Sequence, residues 1–231
     1  MRTSAPTLAA AFLLLLLALP AASQVSDSAG EQNPEALTAL YNQAMQAKEW
    51  PRAVAIAQQL VALKATSQSL NLLGNAQLYS GTADAALATY EQALAAAEKE
   101  KPAEGRLMSG WNDGLAKIYI GKGNALLKLG RTSEAIEIYN RAAERALNPA
   151  RAYFNICAVL YNNGNTHDSA AACRKCLQAD PSNANAWFIL GSVLFADSPI
   201  NAHRKVTSSP EMREALRSTW PSPRTVHTPP M

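Results

Sequence analysis

Chemistry in this chain would have to come from three cysteines, three histidines and one glycine-flanked lysine. Cys173 and Cys176 stand at C-x2-C spacing, with Cys157 upstream. A zinc site built on them would want a fourth ligand, and His167 falls in the intervening turn instead of beside them. A redox C-x2-C motif needs a thioredoxin-like setting that the surrounding helix-forming sequence lacks. Unpaired cysteine is among the most buried residue types, so these positions are expected to be small core residues. A disulfide from Cys157 to Cys173 or to Cys176 stays open as the alternative in an oxidising compartment. An odd count leaves at least one thiol unpaired, so a disulfide framework is not indicated. Gly121-Lys122-Gly123 lacks the spacing and the Ser/Thr of a phosphate-cradling loop. His167, His203 and His227 have no Ser, Cys or carboxylate partner at a motif spacing. The sequence therefore predicts a non-enzyme, with no metal site and no cofactor.

The elements that surround these residues are helical. Ala and Leu dominate, whereas β-branched and aromatic residues are few, which favours an all-α chain. At the N-terminus, Arg2 precedes an apolar run from Leu8 to Leu19 and a small-residue exit at Ala21, Ala22 and Ser23. That order predicts a secretory signal over residues 1–23, cleaved after Ser23. The run is shorter than the roughly 20 residues a membrane-crossing helix needs, so no stable span is expected after cleavage. The net charge is +3 overall, but between Gln24 and Ile200 acidic and basic residues nearly balance. The basic excess thus sits at the chain ends and gives no footing for nucleic-acid binding. These features predict an exported protein, periplasmic or secreted.

Self-similarity organises the rest. A small residue followed four positions later by an aromatic or small one recurs at Ala53/Ala57, Ala86/Tyr90, Ala135/Tyr139 and Ser169/Cys173. Two intervals lie near a 34-residue period, and the middle one is longer by about 15 residues. The stretch Leu70, Leu73-Gly74, Gly81, Ala86, Tyr90, Ala93 resembles the tetratricopeptide repeat. So do Gly123, Gly130, Ala135, Tyr139, Ala142, the set Tyr153, Gly164, Cys173, Cys176, Pro181, and Trp187 with Leu190-Gly191. A first copy through Leu37, Leu40, Ala44, Trp50, Ala53, Ala57 and Leu60 lacks the usual glycines.

The resemblance implies antiparallel helix pairs stacked in a right-handed superhelical solenoid over residues 34–196. About four pairs and a lone fifth first helix are expected, with 24–33 a linker and 197–231 an irregular, disordered tail. Gly81, Gly130 and Gly164 are expected to end first helices in the left-handed conformation. Thr82, Thr132 and Thr166 are expected to cap the second helices. The extra residues between Ala93 and Gly123 predict about two additional turns on each of two helices, projecting as a hairpin over 95–110. Glu211 to Arg217 reads as a short helix. The missing second helix of the last repeat has two readings that stay open, a shift of the reading frame near Arg217 or a disordered C-terminus.

In the family resembled, first helices line a concave groove. That placement puts Asn42, Asn75 and Asn124 at one equivalent site and Asn71, Asn155 and Asn162 on the same face. Carboxamides both donate and accept, so such a row suits the backbone of an extended peptide. Lys117, Lys128 and Arg151 are expected to add positive charge, favouring an acidic residue or a free C-terminus. Tyr79, Phe154, Tyr161, Phe188 and Phe195 continue the face, and Phe188 and Phe195 are expected to pack between repeats. The reading is a scaffold that binds another protein or peptide in this groove outside the cytoplasm. Its rival is an accessory subunit of a cell-envelope assembly, held through the convex face or the 95–110 hairpin.

Overall fold

The computed structural model describes residues 33–103, 105, 107–196, 210–211 and 214–215. The expected signal sequence, most of the 24–33 linker, the frame-shift site and most of the 197–231 tail lie outside the described residues. Among the described residues there are nine α-helices: α1 (Pro34–Gln46), α2 (Trp50–Leu63), α3 (Ser67–Tyr79), α4 (Ala83–Lys99), α5 (Leu107–Lys128), α6 (Thr132–Arg145), α7 (Ala150–Asn162), α8 (Thr166–Ala179) and α9 (Ala184–Ala196). Each helix packs on the next, and α3 also meets α5 while α7 meets α9. This is an all-α solenoid of helix pairs, in which the first helices α3 and α5, and α7 and α9, touch directly.

Local sequence explains where the helices stop. Gly81, Gly130 and Gly164 have φ of 90°, 74° and 74°. The amides of Thr82, Arg131 and Asn165 then return to the carbonyls of Gln77, Leu126 and Leu160, closing the helix ends as a left-handed glycine allows. α1 has no such glycine. Lys48 takes the left-handed conformation instead, at φ 59°, and Glu49 N–H bonds the Ala44 carbonyl at 2.9 Å. The expected threonine caps do not form. The Thr82 hydroxyl donates backwards to the Gln77 carbonyl, Thr132 is already helical behind Arg131, and Asn165 caps α8 in place of Thr166.

One interior slot recurs in every pair, at one position on the first helix and one on the second. Gly74 faces Tyr90 and Gly123 faces Tyr139, so closely that a Cβ on either glycine would lie 2.7 Å or 2.5 Å from the ring. In the first pair the same slot holds Tyr41 and Ala57, with the ring moved to the other helix, and both are buried. In the fourth pair it holds Cys157 and Cys173, which form a disulfide across a Cα–Cα distance of 5.1 Å. Three free core cysteines were the expectation; Cys176 alone stays free and buried. Sequence position could not choose between Cys173 and Cys176, whereas the slot does: Cys173 stands where its neighbours carry the tyrosine.

The long middle connection is lopsided. α4 has 17 residues and α5 has 22, against 13 in α3 and 14 in α6. The extra length is thus about one turn on α4 and well over two on α5, in place of two on each. Nor does it project freely. The Trp111 indole donates to the Ala97 carbonyl at 2.8 Å, and Glu100 accepts from the Ser67 amide at 2.9 Å, tying the connection to the start of α3. At the far end Pro210, Glu211, Glu214 and Ala215 are helical. Ala215 is buried, its Cβ 3.0 Å from where a Cβ on Gly191 would stand, and Arg174 pairs with Glu211.

Candidate groove of the first helices

Asn75 and Asn124 sit next to the slot glycines, on the open side of α3 and α5. The buried tyrosines reach past those glycines to them. Tyr90 Oη donates to Asn75 Oδ1 at 2.8 Å, and Tyr139 Oη donates to Asn124 Oδ1 at 2.6 Å. Burial drives both phenol pKa values well above the ordinary value, with the charge of Arg151 acting in opposition on each. The hydroxyls therefore keep their protons and remain donors. Each hydrogen bond fixes one carboxamide with its oxygen turned inward, so the exposed part is the N–H2 group. Among the described residues neither Nδ2 finds an acceptor. The expected row of mixed donors and acceptors becomes, at these two positions, a pair of oriented donors.

The other predicted residues divide. Asn71 and Lys117 share a cavity of about 620 Å³ between α3 and the lengthened start of α5. Asn124 and Lys128 share one of about 490 Å³ with Tyr79 and Leu127. Lys117 adds little free charge, because it pairs with Asp113 at 2.9 Å, so the positive field falls to Lys128 and Arg151. Asn42, on α1, is exposed and stands opposite Ala57 in sequence register, where a tyrosine would be needed to hold it. Asn155 is half-buried and Asn162 exposed on α7. Neither is held by a tyrosine, and in this pair the position equivalent to Asn75 and Asn124 is Ala158, opposite Cys173. Phe188 and Phe195 are not packed between repeats but 60% and 54% exposed. Tyr79 is 55% exposed and stacks on Trp50 at 5.2 Å.

Sequence reasoning missed that Tyr90 and Tyr139 serve the groove. The signal was present: in both repeats a tyrosine follows the asparagine at a separation of 15, and no other predicted asparagine has one. It also missed Gly110, Gly114 and Trp111, which line the larger cavity.

Family comparison and structural comparison agree. Tetratricopeptide-repeat family models match residues 120–184 and 159–198 and residues 67–100. No curated protein sequence matches the chain. Among solved structures, MamA is similar at 15% identity and TM-score 0.57, covering 82% of this chain and 92% of that one. BtubC from P. vanneervenii is similar at 15% identity and TM-score 0.59, with 85% and 86% covered. YrrB, described as a TPR protein with an unusual peptide-binding site, is similar at 18% identity and TM-score 0.51, with 81% and 87% covered. At these identities the likeness concerns the fold.

Proposed function

We propose that this chain, which belongs to the tetratricopeptide-repeat family, is a non-catalytic scaffold that holds an extended polypeptide in the groove of its first helices, outside the cytoplasm. The observation that carries this reading is the pair of carboxamides oriented by buried tyrosines. Two N–H2 groups fixed at equivalent positions of successive repeats meet backbone carbonyls or a carboxylate without reading side chains. Lys128 and Arg151, exposed and without an ion-pair partner among the described residues, add an attraction for an acidic segment or a free C-terminus. YrrB supports the peptide-binding reading by its described property, and the shared fold supplies the analogy. Export is supported by the signal-like start of the chain and by the Cys157–Cys173 bond, since disulfides persist in oxidising compartments.

Capture from the exported fraction of source cells tests the proposal, using the chain from Gln24 onward as bait beside the Asn75→Ala/Asn124→Ala variant. A partner held by the first and lost by the second is the expected result. A partner held equally by both moves the interaction to the convex face or the 95–110 connection, which deletion of residues 102–106 would then release.

A further inference from the structure

The lengthened start of α5 builds something the other first helices lack. Leu107 to Gly114 leans beside α3 and lines one side of an open cavity of about 620 Å³, a size usual for small-ligand pockets, which run from about 300 to 1,000 Å³. Gly110 and Gly114 lie one turn apart on its wall, and a Cβ built on either would meet nothing within 4 Å. The helix surface there is bare backbone, a flat floor with open space above it. Leu72, Leu107, Pro102 and Trp111 supply apolar walls. Polar groups at the edge are already committed: Glu100 accepts from Ser67 and Lys117 pairs with Asp113. Gln68, also on the lining, is exposed to water, whereas Asn71 is unpaired inside. Its Oδ1 is buried, and among the described residues it is the one buried side-chain oxygen or nitrogen without a hydrogen-bond partner.

A buried acceptor left unpaired is destabilising, and its pairing is a gain reserved for whatever brings a donor. We infer that this cavity receives an aromatic side chain carrying a polar hydrogen, tyrosine or tryptophan, from the polypeptide lying in the groove. A planar ring fits a floor of two glycines against Trp111 and Leu72, and its O–H or N–H satisfies Asn71 when the carboxamide turns its closed-off Oδ1 toward the cavity. Aliphatic side chains and phenylalanine fill the same walls but leave the acceptor orphaned. This inference rests on the groove reading for the origin of the side chain. The cavity's chemistry is testable without the partner.

The probes are p-cresol and 3-methylindole, the isolated side chains, with toluene and 1,3-dimethylindole as analogues without the donor. Each is titrated into the 15N-labelled chain from Gln24 onward, which keeps every described helix. The expected result is saturable movement of the Gly110, Gly114 and Trp111 signals, with p-cresol and 3-methylindole binding about fivefold or more tighter than their analogues. In Asn71→Leu the preference shrinks to near one. Exchanging an orphaned acceptor for an apolar group of similar size does not threaten folding. Gly110→Leu and Gly114→Leu fill the space with good helix formers and abolish the movement, with helix content by circular dichroism unchanged. Equal binding of p-cresol and toluene, movement elsewhere, or indifference to the leucine variants overturns the inference. If the probes fail while Asn75→Ala/Asn124→Ala still releases a captured partner, the cavity falls and the groove stands. If the probes succeed while that variant retains its partner, the cavity stands as a site and the groove reading falls.

Discussion

The second and third helix pairs and the fourth fill one interior slot by different means. In α3/α4 and α5/α6 a glycine gives room for a tyrosine; in α7/α8 two cysteines are bonded across the same place. Both solutions close the pair, but only the first reaches a residue outside the core. The tyrosine stays fully buried but ends on Asn75 or Asn124, which its hydroxyl fixes. The disulfide ends in the interior, and Ser169 beside it donates to the Cys157 carbonyl instead of to the surface. Packing and presentation are therefore coupled in the middle of the array and separate at its C-terminal end. Fixed polar groups concentrate on α3 and α5, while α7 and α9 carry half-exposed aromatics.

The largest effect expected from breaking this contrast is at the covalent slot. Closing a loop of separation 16 is worth about 3 kcal/mol in chain entropy, so Cys157→Ala/Cys173→Ala should lower the urea unfolding free energy by about that amount. Reductant should do the same to the natural chain and nothing to the variant. Thiol counting in denaturant should find a single free group, Cys176, before reduction. Cys157→Gly/Cys173→Tyr, which copies the neighbouring slot, should recover part of the loss, and a result below the double alanine would show that the slots are not equivalent. Next in size is Gly123→Ala. Its Cβ would stand 2.5 Å from the Tyr139 ring, and such overpacking costs about 1–3 kcal/mol. Tyr139→Phe keeps the packing and removes only the hydroxyl, for about 1 kcal/mol. It should free the Asn124 carboxamide, visible as movement of its two N–H resonances toward their random-coil positions. The smallest change is a gain: Lys48→Gly relieves a left-handed lysine, raising stability by about 0.5–1 kcal/mol.

How far the sequence led differs by level. Helix pairs, their approximate limits and the glycine stops at 81, 130 and 164 were legible, because periodicity and left-handed glycine are local properties. The threonine caps differ from expectation since a hydroxyl three residues past a helix can as easily turn back to that helix, as Thr82 does. The disulfide was left open because C-x2-C spacing draws attention to Cys173 and Cys176 together, whereas aligning the repeats against Tyr90 and Tyr139 singles out Cys173. The groove asparagines were found as a row, but which of them are held depends on a residue in the following helix. Asn42 fails for want of a tyrosine at the Ala57 position. The cavity beside Asn71 was out of reach, since it depends on how a lengthened helix folds back.

In the proposed function, buried tyrosines hold the groove's carboxamides in register for a polypeptide backbone. The most direct measurement is the affinity of a captured partner for the natural chain and for Tyr90→Phe/Tyr139→Phe, by titration calorimetry. This substitution touches no residue on the groove surface. A weakening of about fivefold or more, with the fold retained, is the predicted result, being the equivalent of about 1 kcal/mol of lost orientation. An unchanged affinity would mean that the carboxamides are bystanders and that the partner is held elsewhere.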